Sequence, residues 1–389
     1  MNYKKLLFLF IFSFLLLLKF SASQEYLKIY AELDSEKKEY NFYADNSHFI
    51  PYNVKIEFNS LVNLKPSVDI PYSCVVKPDS KKLFLFKLTV IDNKKTVKYS
   101  NFYKYSLGDP SAKHNDKYLY ILPFEHGTKH RLAQGFHGKQ THSGENEYAV
   151  DFDMPEGTPV VAARDGIVAE IKKDSNIGGK GDYYADKGNF IRIYHDDGTF
   201  SNYVHLKQNG VIVNVGDEVK PGQIIGYSGN TGYSSGPHLH FDVRVATTEG
   251  TMQSIPFKFL NYDNKAINPE EGKTYYSYHP GKPKFNVILG INIKNEDYDN
   301  YKKPVSNNNK IEIITEKIDE TTLIFIKNGF KKEYEITIDF SLLNLIASKQ
   351  IPLITKIPPL TEIYLLFLRE KKSGELMQYS YEYSYREVR

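Results

Sequence analysis

Ser234-Ser235-Gly236-Pro237-His238-Leu239-His240-Phe241-Asp242-Val243 is the stretch on which the fold and the chemistry of this chain both turn. After the Gly-Pro corner, polar and apolar residues alternate, the period-two mark of a β-strand. His238 and His240 would then project from one face, with Leu239 and Phe241 turned to the other. The preceding Gly229-Asn230-Thr231-Gly232 reads as a tight turn that lets the backbone come close to a site. A His-x-His on a strand can set one or two imidazoles beside a metal. A strand can also bury two satisfied histidines, so the surrounding chain has to decide.

Working outward, the same short alternation recurs almost everywhere. Tyr52-Asn53-Val54-Lys55-Ile56-Glu57-Phe58 and the run from Leu83 to Ile91 show it before residue 107, between Pro66, Pro71, Pro78 and Asp92-Asn93. That texture predicts an antiparallel β-sandwich of about seven strands over residues 24–110. The segment 270–389 repeats it. Tyr334-Glu335-Ile336-Thr337-Ile338-Asp339-Phe340 matches the block at Tyr52 with an offset of 282, and Ile351-Pro352 matches Ile70-Pro71 with an offset of 281. Tyr379, Tyr383 and Tyr385 follow Tyr99, Tyr103 and Tyr105 at 280. The pattern reads as two copies of one module flanking a central domain, and neither copy holds a cluster of metal ligands or nucleophiles.

The central region, 111–265, is expected to be a compact antiparallel sheet. Hairpins are expected around Asp165-Gly166, around Asp196-Asp197-Gly198 and over Gly216 to Ile225, with an inserted loop at 173–188. The fold class is therefore all-β: a central antiparallel-sheet domain between two β-sandwich-like modules. At 389 residues, 41% of them hydrophobic, the chain can fill several cores, and its 31 Tyr and 24 Phe favour sheets.

Lys4 and Lys5, an apolar run from Leu6 to Leu18 and the small residues before Gln24 read as a signal peptide, residues 1–23. The protein is expected to be exported, to the periplasm, cell envelope or medium. Loss of Lys4, Lys5 and Lys19 with the leader takes the formal charge from +3 to zero, which gives no reason to expect a nucleic-acid partner. Cys74 is the only cysteine, so no internal disulfide can form, and Val75 and Val76 mark it as a buried small hydrophobe.

Nine of the eleven histidines fall between His114 and His240, which concentrates chemistry in the central domain. A catalytic zinc needs about three protein ligands and an open position. His142, Asp151, His205, His238 and His240 are the candidates. In Tyr148-Ala149-Val150-Asp151-Phe152-Asp153 the apolar face is Tyr148, Val150 and Phe152, so Asp151 could point inward, which requires a cation to offset its burial. His195 is read as a support of its turn, and His126, His130 and His137 as surface or groove residues.

Asp151, Gly157-Thr158-Pro159-Val160, Tyr203-Val204-His205-Leu206 and Gly236-Pro237-His238-Leu239-His240-Phe241 resemble, in order, the motifs of the M23 (lysostaphin/LytM-type) zinc metallopeptidases. The resemblance covers about residues 135–245. It implies one zinc ion per chain, held by Asp151, His240 and a first histidine, with His238 and His205 assisting: His238 as base, His205 at the oxyanion. The family's first histidine stands four residues before the aspartate, where this chain has Glu147. His142, nine residues ahead, resembles the ligand of a subgroup with an insertion; Glu147 and His137 are the alternatives. The implied activity is hydrolysis of peptidoglycan cross-bridges or stem peptides, and the implied partner is peptidoglycan. Some family members instead bind and activate other wall hydrolases, the second reading. The flanking modules could contact glycan or protein.

Overall fold

A computed structural model describes residues 26–372 and 375–388; the expected leader lies outside them. Alternation does what it predicts in the first hundred residues. One antiparallel sheet orders Leu27–Asp34, Glu39–Asn46, Ser80–Val90 and Leu64–Pro66, and a second orders Tyr72–Val76, Tyr52–Val62 and Lys98–Leu107. Phe42 and Phe86 of the first sheet stack at 4.6 Å and meet Phe58, Tyr72 and Tyr99 of the second at 5.1–6.2 Å. Such aromatic burial is the main stabilising contribution of a sandwich without disulfides. These strands form one unit, up to Ser111, to which Ala246–Thr251 also belongs. Cys74 is half-buried, and burial pushes its thiol up to about 11.

The second unit holds Ala112–Val245 and the chain from Met252 onward. Within it, the last strands form a sheet ordered Lys302–Pro304, Thr361–Glu370, Thr321–Asn328, Ile311–Ile318, with Leu345–Ala347 also on Thr361–Glu370. A second sheet orders Leu353–Ile357, Tyr334–Leu343 and Gln378–Glu387. The order matches that of the first unit strand for strand, apart from the added Lys302–Pro304. Asn46 donates to the carbonyls of Ile50, Val76 and Lys77; Asn328 donates to those of Lys332, Ile357 and Pro358.

The central sheet runs Glu218–Val219, Gly166–Lys172, Asn189–Tyr194, Phe200–Val211, His238–Ala246, Val150–Asp153, Lys129–Gln134, Thr274–Tyr276, with every pairing antiparallel. Val150, Phe152, Leu239, Phe241, Val243, Tyr203 and Ile193 fill one face as a single core. The opposite face is thereby left to the polar residues in alternate positions.

The hairpin at Asp196-Asp197-Gly198 forms as expected, with Gly198 at φ 81° and Asp197 accepting from Thr199. The other two do not. Pro159–Val161 pairs with Ile224–Ser228 rather than with Gly166–Lys172, and Glu218–Val219 pairs with Gly166–Lys172. Val160, Val161, Val168 and Ala169 are all buried, so these strands lack the one-sided pattern that would fix a partner. Between them Arg164 is drawn to Asp196 at 2.5 Å and Asp197 at 2.8 Å, which carries the chain across to another strand. Among the described residues no helix is long and apolar enough to cross a membrane.

Candidate metal centre

Register assembles the site. In the strand His238–Ala246, His240 lies opposite Asp151 on one neighbour and Val204 on the other. Directly opposed residues share a face, so the carboxylate and the imidazole must meet. Asp151 Oδ1 lies 2.9 Å from His240 Nδ1, and Asp151 Oδ2 lies 3.2 Å from His142 Nε2. His142 reaches in from the turn before the short 3-10 helix Gly144–Asn146. The ligand atoms of His142, Asp151 and His240 lie within 4.8 Å of one another. Glu147 and His137 are instead bonded to each other at 3.0 Å, the histidine exposed and the glutamate half-buried.

The protons show what this cluster can hold. His142 Nδ1 faces the Gly135 carbonyl at 2.7 Å, so it carries the hydrogen. Nε2 of the neutral ring is then a lone pair. It is buried, has no hydrogen-bond donor, and points at a carboxylate oxygen. Two acceptors at that distance repel unless the ring is cationic or a cation lies between them. His240 is arranged in mirror fashion: Nε2 donates to Asp242 Oδ2 at 3.1 Å, which leaves Nδ1, facing Asp151 Oδ1, to carry a second proton or to bind a cation in its place. Burial opposes a charge on His240, yet Asp151 and Asp242 lift its pKa to about 9. Burial likewise opposes the Asp151 carboxylate, but His142 and His240 hold it well below the usual range. The pocket is therefore built to hold positive charge. A nitrogen, oxygen, nitrogen donor set with room beside it fits zinc.

His205 and His238 stand next to this cluster, their rings 4.5 Å apart. Nδ1 of His205 donates to Thr231 O at 2.7 Å, and Nδ1 of His238 to Gly236 O at 2.8 Å. Both rings thus turn a lone pair at Nε2 towards the groove. Burial, then the neighbouring imidazoles, hold His205 down at about 3. His205 also has φ 65°, the left-handed region that few side chains adopt. The twist falls beside the bulge where the strand Phe200–Val211 changes register. Asp151, His205, His238 and His240 line one groove of 790 Å³, with His142 buried behind it.

Several residues around the cluster escaped the sequence reading. Asp242 is fully buried; Asn202 donates to it at 2.9 Å and Arg244 clasps it through Nε and Nη2. Arg244 also reaches Asn146, in the turn that follows His142. Gln134 donates to Asp151 Oδ2 at 3.0 Å, while its own oxygen accepts from the backbone of Gln140 and Thr141. Asp242 shares the face of His238 and His240 at the next alternate position, a signal present in the sequence. Gln134 carried none. His195, read as a turn support, bridges Asp165 O and Ser201 Oγ at 2.7 and 3.0 Å.

An all-β domain whose opposed strands present a buried His, Asp, His set beside two further histidines has the donor set of a metal-binding domain. Residues 145–255 match peptidase family M23. The glycyl-glycine endopeptidase ALE-1 of Staphylococcus capitis is 38% identical over 141 residues, 36% of each chain. The peptidoglycan DD-endopeptidase ShyA of Vibrio cholerae is 35% identical over 122 residues, 30% of this chain and 26% of that one. The solved catalytic domain of lysostaphin from Staphylococcus simulans is 39% identical, covering 33% of this chain and 87% of that one, with a TM-score of 0.24. The chain spans about a third or less of the length of the curated relatives it matches.

Proposed function

We propose that the central domain, 111–265, is a zinc metalloendopeptidase that hydrolyses peptide bonds of peptidoglycan, in cross-bridge or stem peptide. The observation that carries this reading is the buried, unpartnered Nε2 of His142 aimed at Asp151. His142 Nε2, Asp151 and His240 Nδ1 would hold one zinc ion, with Asp242 and Gln134 keeping the ligands oriented. Zinc in such a site acidifies its water towards neutrality and polarises the scissile carbonyl.

His238 Nε2 has the lone pair to take the proton of the attacking water and to return it to the leaving amine. The oxyanion role implied for His205 by the family resemblance does not suit its protonation. A neutral ring whose Nδ1 hydrogen is bound to Thr231 has no proton at Nε2 to donate, and its low pKa keeps it neutral. In this reading His205 accepts a hydrogen bond and so orders the water or the substrate amide. We further propose that residues 24–110 and 270–389 are two copies of one module, and that residues 1–23 direct export.

Zinc stoichiometry of the purified protein, with mass analysis of peptidoglycan digests, tests the assignment. One zinc per chain and new amine ends are expected, both lost in His142→Ala. Wild-type protein with neither would overturn this reading in favour of a non-hydrolytic regulator of other wall enzymes.

A further inference from the structure

Most of the groove wall is neutral, and its charges are unevenly committed. Among the described residues Asp151 is the one carboxylate that lines it, already engaged by His142, His240 and Gln134. Arg244, at the groove floor, is spoken for by Asp242. Lys180 is different: it lines the same groove, is exposed, and has no ion pair or hydrogen bond among the described residues. The nearby Lys187 and Asp186 satisfy each other at 2.8 Å.

Lys180 is also not on a loose tip. Gly178–Gly179 form a parallel bridge with Gly232–Tyr233, the turn that leads into the His238 strand. Gly232 N–H donates to Ile177 O at 2.9 Å and Ser234 N–H to Gly179 O at 3.2 Å. Gly181, at φ 110°, follows the lysine and leads into the 3-10 helix Asp182–Tyr184. The backbone of Lys180 is therefore fixed to the same turn that positions His238, with Tyr233 beside it on the wall.

An uncommitted cation fixed on the wall of a groove with no free carboxylate is complementary to an anionic ligand. We infer that Lys180 is a specificity-determining residue, and that the groove selects peptides carrying a free carboxylate close to the scissile bond over uncharged ones such as oligoglycine. The inference rests on the peptidase reading for what is cleaved, but not for what is bound.

The test uses the zinc-loaded full chain and two synthetic cross-linked peptides that differ only in a free carboxylate against its carboxamide. For the wild type, kcat/KM on the carboxylate form should exceed that on the amide by about two- to fivefold, the range for one exposed ion pair. Lys180→Met should remove the preference, and Lys180→Glu should reverse it, with zinc content unchanged in both. Equal turnover of the two peptides by the wild type, or a preference that survives Lys180→Met, overturns the inference. If neither peptide is cut, the peptidase reading fails, and fluorescence-anisotropy binding of the same two peptides carries the test. Tighter binding of the carboxylate form, lost in Lys180→Met, still supports selection by charge; equal binding refutes it.

Discussion

Asp242 never reaches the ligand cluster's open side, yet it decides which nitrogen of His240 is available. Asp242→Asn keeps an acceptor for Nε2 but removes the charge that Arg244 and Asn202 were arranged around. Zinc affinity measured by chelator competition should fall by roughly tenfold, with the protein still folded. His195 offers a residue-level prediction about pH. Burial pushes its pKa down to about 4 from the usual imidazole value of 6.5. The unfolded chain takes up that proton more readily, so this contribution is complete above pH 6.5 and is lost as pH falls towards 4. It amounts to about 3 kcal/mol. Urea unfolding of wild type and His195→Gln should show the variant losing less stability over that window; parallel losses would rule the contribution out. At this scale the sequence revealed residue types and faces. It could not reveal tautomers, because those depend on the carbonyls of Gly135, Thr231 and Gly236, which come from the backbone of distant turns.

Strands and turns were legible to different degrees. The His238 strand and the Asp151 strand each have one apolar face, and alternation alone gave their orientation. Their register, Asp151 against His240, required knowing that the strands are neighbours. The Gly-rich turn was visible as a turn, but its partner was not. Gly232, at φ 80°, has no space for a Cβ against the backbone of Gly188, where the 173–188 loop closes on it. Gly232→Ala should therefore cost on the order of 2 kcal/mol and displace the loop from the groove wall. Peptide hydrolysis should drop by an order of magnitude or more while bound zinc stays near one equivalent, read by activity and metal analysis on the same sample. Loss of zinc in step with activity would instead place the turn's influence on the ligands.

Across the whole molecule, the repeat of strand order in the first and last modules makes paired experiments possible. Asn46 and Asn328 are buried, and each caps three carbonyls at the same place in its own sandwich. If the modules are copies, Asn46→Ala and Asn328→Ala should each destabilise their own module by about 2–3 kcal/mol, since the stranded carbonyls remain buried. Calorimetry should then show matched downward shifts; a large effect from one and none from the other would speak against equivalence. The likeness could be read because the two segments share the spacing of their prolines and tyrosines. The extra strand Lys302–Pro304 could not, since its short charged sequence carries no alternation.

The backbone of His205 carries one more implication. Asparagine tolerates φ 65° better than histidine does, so His205→Asn should relieve conformational strain of roughly 1 kcal/mol while discarding the imidazole. Loss of the Nδ1–H bond to the Thr231 carbonyl offsets that gain, so the variant should melt close to the wild type. A folded variant that lacks this imidazole would be the one in which to capture an uncleaved peptide.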